Sequence, residues 1–159
     1  MSVPKPVATD LVFQVLNEIG IIDSLAQTEL SRHIAPDLNP SEFGVLNHFV
    51  RLGDGKTPSW LAAAFQMTRP SMTAIVTKLS AKGFVHVEPG EKDRREKFVY
   101  LTDAGREVRA DALARLTPRL QAVATDFGVD RLQDILPVLQ ALRAYLDDER
   151  NERDGLTSP

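Results

Sequence analysis

Cysteine is absent from all 159 residues. Disulfides, thiolate metal ligands and thiol-based peroxide sensing are therefore excluded. Histidine occurs only as the scattered His33, His48 and His86, and no His/Asp/Glu cluster has metal-ligand spacing. A Gly-rich phosphate loop and a nucleophile motif are also missing, so no cofactor and no enzyme is expected. No apolar run approaches the roughly 18 residues of a membrane span. The opening Met1-Ser2-Val3-Pro4-Lys5-Pro6 lacks the basic start and apolar core of a signal peptide. The expectation is a cytoplasmic protein with no membrane partner. Aromatic residues make up 6%, and Trp60 and Tyr145 read as packing residues.

What is present is ordinary in amount and uneven in placement. An apolar fraction of 43% and a charged fraction of 26% are those of a globular chain, and the length suits one domain over residues 1–159. The net charge is −3, which at first argues against an anionic partner. Between Arg51 and Arg106, however, ten Lys and Arg face six Asp and Glu, a local balance of +4 that leaves −7 for the rest. Attraction to phosphate depends on the local patch, while an acidic remainder limits non-specific adhesion.

The basic part holds the stretch that organises the chain, from Thr57 to Thr102. Thr57-Pro58 opens a short helix, and Gln66-Met67-Thr68 forms a turn. A second helix then starts at Arg69-Pro70, where Thr68 caps the open amides and proline costs no hydrogen bond. Met72, Ile75, Val76 and Leu79 fall at i, i+3, i+4 and i+7 and form one apolar stripe. Gly83 ends the helix, as a residue free to take positive φ can. The opposite face carries Arg69, Pro70, Ser71, Thr73, Ala74, Thr77 and Lys78. It is small, polar and basic at its ends, and it lacks the Glu or Asp that a merely solvated face usually mixes with its Lys.

A hairpin follows, with Val85/Val87 and Val99/Leu101 alternating as strands buried on one face do. Its tip, Glu91-Lys92-Asp93-Arg94-Arg95-Glu96-Lys97, is too charged to pack. Read alone it is a solvated loop. Beside a neutral-to-basic helix, Arg94, Arg95 and Lys97 can follow phosphates or enter an adjacent minor groove, and Asp93 can orient Arg95 by a charge-assisted hydrogen bond. Two helices, a turn and a basic hairpin make a winged helix-turn-helix, a device that places one helix in the major groove of double-stranded DNA.

These residues resemble a known family. Leu61-Ala62, Arg69-Pro70-Ser71-Met72-Thr73, Leu79, Lys82-Gly83-Phe84-Val85, Asp93-Arg94-Arg95, Val99 and Leu101-Thr102-Asp103-Ala104-Gly105 look like the MarR family, the multiple-antibiotic-resistance regulators. The resemblance extends over nearly the whole chain. Its most specific part is the Asp-x-Arg of the wing followed by a Leu-Thr-x-x-Gly helix start. It implies a homodimeric, mostly repressing transcription regulator that releases operator DNA when a small ligand or oxidant acts on it. Without cysteine, the thiol-oxidation branch of the family drops out. The family often carries Arg where this chain has Ala74 and an acidic residue where it has Thr77, so the bases read here need not be those of better-known members.

The flanking segments read as helices. From Asp10, the residues Leu11, Val12, Val15, Leu16, Ile19, Ile22, Leu25, Ala26, Leu30 and Ile34 keep a helical stripe until Pro36, after a loose Pro-rich start. Asn39-Pro40 opens a second helix that ends near Leu52, with Phe43, Leu46, Phe49 and Val50 as its buried face. A long helix starts near Asp103, with kinks expected at Pro118 and, after a break at Gly128, at Pro137. The last helix carries Leu132, Ile135, Leu136, Leu139, Leu142 and Leu146, and the tail from Asp147 reads as frayed. The fold class is mainly α with a small β-hairpin wing and about six helices. Residues 40–102 form the reading module, and 9–35 and 103–150 form helices with apolar stripes beyond what one subunit can bury, which suggests pairing into a homodimer.

Effector chemistry is the least legible part. Phe13, Asn17, His48 and Arg51 have suitable side chains near the arms, each with a structural or solvated alternative, and no effector-binding residue is assigned. A different class of function is a winged helix serving as a protein–protein adaptor without DNA. That alternative accounts for the apolar arms and the acidic balance, but leaves the basic wing and the acid-free helix face without a use.

Overall fold

The computed structural model describes residues 5–34 and 36–154. In order these are α1 (Lys5–Ile34), α2 (Pro40–Leu52), α3 (Pro58–Ala64), α4 (Arg69–Ala81), β1 (Val85–Pro89), β2 (Lys97–Leu101), α5 (Asp103–Val123), a π-helical turn (Ala124–Gly128) and α6 (Val129–Asp154). They group into two compact units, one up to Leu116 and one from Thr117 onward.

The first unit is built around α2, α4 and the hairpin. Helix α2 starts in a reciprocal cap: Asn39 Oδ1 accepts the Glu42 N–H at 2.9 Å, and Glu42 Oε2 accepts the Asn39 N–H at 3.0 Å. Such a box satisfies two amides that the first turn leaves open. The core gathers Ile34, Val45, Leu46, Leu61, Met72, Leu79 and Val99, all fully buried. Strands β1 and β2 pair antiparallel from Val85↔Leu101 to Pro89↔Lys97. A bridge from Lys56 covers the outer edge of β2, where Asp54 Oδ2 also accepts the Leu101 N–H at 2.8 Å.

The junction of wing and α5 is held by Thr102. Its hydroxyl donates to the Gly83 carbonyl at 2.7 Å and accepts the Gly105 N–H at 3.0 Å, while its own N–H donates to the Phe84 carbonyl at 3.1 Å. One residue thus closes α4, fixes the start of β1 and caps α5. The Leu-Thr-x-x-Gly motif has its physical basis here, because Gly105 is buried directly against the Phe84 carbonyl.

Several expectations are corrected. Helix α1 begins at Lys5, since Pro6 falls in its first turn, where proline is tolerated; residues 1–4 lie outside the described ones. Val45, not Val50, joins the buried face of α2: Val50 lies on the side of Phe43 and Leu46, but it stands in the last turn of the helix, which ends at Leu52, and stays exposed. Val87 is exposed although it pairs with the buried Val99: β2 has a neighbour on both sides, whereas β1 is an edge strand. The interruption expected at Gly128 takes the form of a π-helical turn, Ala124–Gly128, with φ 103° at Gly128, and α6 starts at Val129. The acidic segment from Asp147 continues α6 to Asp154, and Gly155 to Pro159 lie outside the described residues. Trp60 and Tyr145 are both substantially exposed; the Tyr145 hydroxyl donates to Glu149 at 2.5 Å.

In the second unit, α6 runs through Pro137 and carries exposed Leu132, Ile135, Leu136, Val138, Leu139 and Leu146. Helix α1 of the first unit likewise exposes Leu11, Val12, Phe13, Leu16, Ile22 and Leu25, and only its end reaches the core, through Leu30 and Ile34.

Candidate nucleic-acid interface

Helix α4 is set by its two ends. Thr68 Oγ1 accepts the Ser71 N–H at 3.3 Å, Pro70 occupies the first turn, and Gly83 leaves the helix at φ 75°. Met72, Val76 and Leu79 are buried and Ile75 half-buried. The apolar stripe is therefore turned inward and the opposite face outward. Arg69, Pro70, Thr73, Ala74, Thr77 and Lys78 all line one shallow groove of about 650 Å³ on that outer face. No side chain of Arg69–Ala81 is acidic, so the positive end of the helix dipole and the basic termini act together on an approaching anion.

Ser71 stands slightly apart. Its hydroxyl pairs with Thr68 Oγ1 at 2.8 Å, and it lines a second hollow of about 600 Å³ with Asn39, Ser41 and Met67. Thr77 donates its hydroxyl to the Thr73 carbonyl at 2.8 Å, which leaves methyl groups to dominate the middle of the outer face. Such a surface suits apolar contact with thymine methyls as well as hydrogen bonds to base edges.

The hairpin tip is closed by backbone bonds, Gly90 N–H to the Glu96 carbonyl at 2.9 Å and Glu96 N–H to the Asp93 carbonyl at 3.0 Å. Arg94, Arg95 and Lys97 are exposed. The Asp93 carboxylate accepts the backbone N–H of Arg95 at 2.9 Å, so in this chain Asp93 shapes the turn that carries Arg95 and its bond is to the main chain.

Phe13 and Asn17 are exposed on α1, and Arg51 is exposed at the end of α2. His48 belongs to a ring cluster, with centroids 5.4 Å from Trp60, 5.6 Å from Phe65 and 6.2 Å from Phe49. Lys56 Nζ lies 5.0 Å above the Trp60 ring. The His48 Nε2 is buried and has no hydrogen-bond partner among the described residues. Burial, and then the charge of Lys56, hold its pKa below the usual histidine value. Among the described residues no group of three or more His, Cys, Asp or Glu could hold a metal ion, and no helix is long and apolar enough to cross a membrane.

Sequence reading missed the pair that joins the start of α2 to the end of α4, Glu42 and Lys82, 2.8 Å apart. Glu42 is announced by the Asn39-x-x-Glu42 spacing of a capping box. Its partner Lys82, forty residues away, carries no local signal.

A short helix, a turn, a second helix with an inward apolar stripe and a basic hairpin define a winged helix-turn-helix protein. Residues 37–96 match the sequence profile of the MarR family. The transcriptional activatory protein BadR of Rhodopseudomonas palustris is 29% identical over 127 residues, covering 76% of this chain and 69% of that protein. Among solved structures, the transcriptional regulator BldR from Sulfolobus solfataricus matches with a TM-score of 0.75 at 26% identity, over 86% of this chain and 97% of that one. A mutant MarR from E. coli in complex with operator DNA matches with a TM-score of 0.72 at 20% identity, over 84% and 96% of the two chains, a likeness of fold. Over residues 37–96 the chain thus resembles the MarR family of transcription regulators, and it shares the fold of those solved structures.

Proposed function

We propose that the chain is a sequence-specific regulator that binds double-stranded DNA as a homodimer on a pseudo-palindromic operator. In this reading α4 enters the major groove while Arg94, Arg95 and Lys97 of the wing follow phosphates or the neighbouring minor groove. The observation that carries it is the acid-free outer face of α4, whose six groove-lining residues stand on the same module as an exposed basic wing. The operator complex of the E. coli relative supports it. Residues 40–102 read DNA, and 9–35 with 103–150 form the dimer, where the exposed apolar faces of α1 and α6 find cover. Control is by a small, aromatic or anionic molecule that favours a DNA-incompetent arrangement of the two heads, and the regulator works in the cytoplasm.

Repression follows from an operator that overlaps a promoter. The similar BadR is described as activatory, which favours activation as a second reading; a reporter assay with the gene deleted and restored tells them apart by sign.

Selection of bound fragments from genomic DNA supplies an operator. Arg95→Ala should weaken binding to operator and scrambled duplex alike, and flatten log affinity against log salt by about one unit for each phosphate left without its cation. Thr73→Ala should spare the scrambled duplex and relax preference at one or two positions per half-site, at about 1 kcal/mol. An Arg95→Ala protein with unchanged affinity and slope would return the adaptor reading.

A further inference from the structure

Besides Thr102 at the Gly83 carbonyl, a second side chain ties down the end of α4. Lys82 caps the helix, and its Nζ donates to Glu42 Oε2 at 2.8 Å and to the Asp37 carbonyl at 2.9 Å. Glu42 is 2% exposed, and the same oxygen accepts the Asn39 N–H. The carboxylate also sits in the first turn of α2, where the helix dipole favours negative charge. The turn that receives Lys82 is held from α5 as well. Arg115 Nε donates to the His33 carbonyl at 2.8 Å, and its Nη2 reaches Asp37 Oδ2 at 3.4 Å. The few residues around Asp37 therefore join the end of α1, the start of α2, the end of α4 and the body of α5.

We propose that Lys82 is a positioning residue for the reading helix, and that the turn at Asp37 is the point through which α1 and α5 set the angle of α4. This rests on the DNA-binding reading above. A pivot of about 5° at Lys82 moves the far end of a 13-residue helix by roughly 1.5 Å, given the 1.5 Å rise per residue. A hydrogen bond to a base edge tolerates only a few tenths of an ångström around its optimum. Attraction to phosphate is far less sensitive to such a pivot, because it depends on charge and not on register. Loosening the tie therefore removes selectivity before it removes affinity for DNA in general.

The test uses the full chain with Lys82→Met, Lys82→Arg and Arg115→Met, on a selected operator and a scrambled duplex at several salt concentrations, with melting temperatures alongside. Lys82→Met should lose about tenfold or more in operator affinity while the scrambled duplex and the salt slope stay as in the wild type. Lys82→Arg, which keeps the charge and its donors, should recover most of the loss. Arg115→Met should show the same pattern more weakly, and it carries the test if Lys82→Met does not fold. Unchanged operator affinity in both Met variants overturns the proposal. An equal loss on both duplexes with a flatter salt slope also overturns it, since Lys82 would then be a phosphate contact. A wild type that binds no duplex sinks the DNA reading; amide exchange in residues 78–84 then decides the tie itself, faster in Lys82→Met if it exists and unchanged if it does not.

Discussion

A single methyl group added at Gly105 should unsettle the whole junction between wing and α5. A Cβ built there would lie 2.1 Å from the Phe84 carbonyl oxygen, 3.0 Å from its carbon and 2.8 Å from Leu101 Cδ1. Ordinary contact begins at 3.4 Å, so backbone has to move by more than an ångström. The three bonds made by Thr102, to Gly83, Phe84 and Gly105, lie directly in the path of that movement. Each contributes about 1 kcal/mol net, and forcing volume into a packed site adds about 1–3 kcal/mol of strain. Helix propensity offsets at most about 1 kcal/mol, because alanine is otherwise the better helix former. Gly105→Ala should therefore cost about 3–5 kcal/mol, which for a chain of this size lowers the melting temperature by roughly 6–20 °C. The neighbouring change is the control: Ala104 is exposed, and Ala104→Gly should cost no more than about 1 kcal/mol. Thermal unfolding by circular dichroism at one fixed protein concentration measures both. A Gly105→Ala protein melting within about 2 °C of wild type would refute the reasoning.

His48 should make stability fall in acid. Its folded pKa is depressed, so its contribution is intact above the unfolded value of about 6.5 and is lost as pH falls below it, by at most about 1.4 kcal/mol per pH unit; chemical denaturation between pH 5 and 7.5 should show a shallower slope for His48→Phe, and identical slopes would rule the burial argument out. In solution the chain should have twice its 17.6 kDa mass by light scattering, and removal of residues 1–35 should give monomer or aggregate; a well-folded monomer of the full chain at micromolar concentration counts against the dimer. Mild peroxide should leave operator binding intact, because there is no cysteine and Met72 is fully buried; rapid loss reversed by a thiol reductant would contradict this.

The reading module is largely legible in the sequence because its signals are local. Thr68-Arg69-Pro70 and Gly83 mark the ends of α4 within a residue, and the Val and Leu alternation places β1 and β2. Each of these marks acts on the backbone within a few residues of itself. Burial is harder to read. Val50 and Val87 have the right residue type and nearly the right spacing, yet whether a side chain is covered depends on what lies beyond the element. Val99 is roofed from both sides and Val87 from one. The Lys82–Glu42 pair is invisible for the same reason, since its two halves are forty residues apart. Gly105 is recognisable only as part of a motif; its cause, the carbonyl of Phe84 beneath it, belongs to the folded chain. The continuation of α6 through the acidic segment to Asp154 shows the converse error: a charged run reads as frayed, although charge alone does not end a helix.

The ring cluster on α2 and α3 gives the molecule an optical reporter. Trp60 is the sole tryptophan, so all indole emission comes from one point of the reading module, half open to water. A protonated imidazole quenches indole fluorescence more strongly than a neutral one, and His48 lies 5.4 Å away. Emission of the unmodified protein thus registers the charge on His48, while a shift in its colour registers any change in how far α3 shields the indole. Both signals come without a label, from the helix that packs directly against α4.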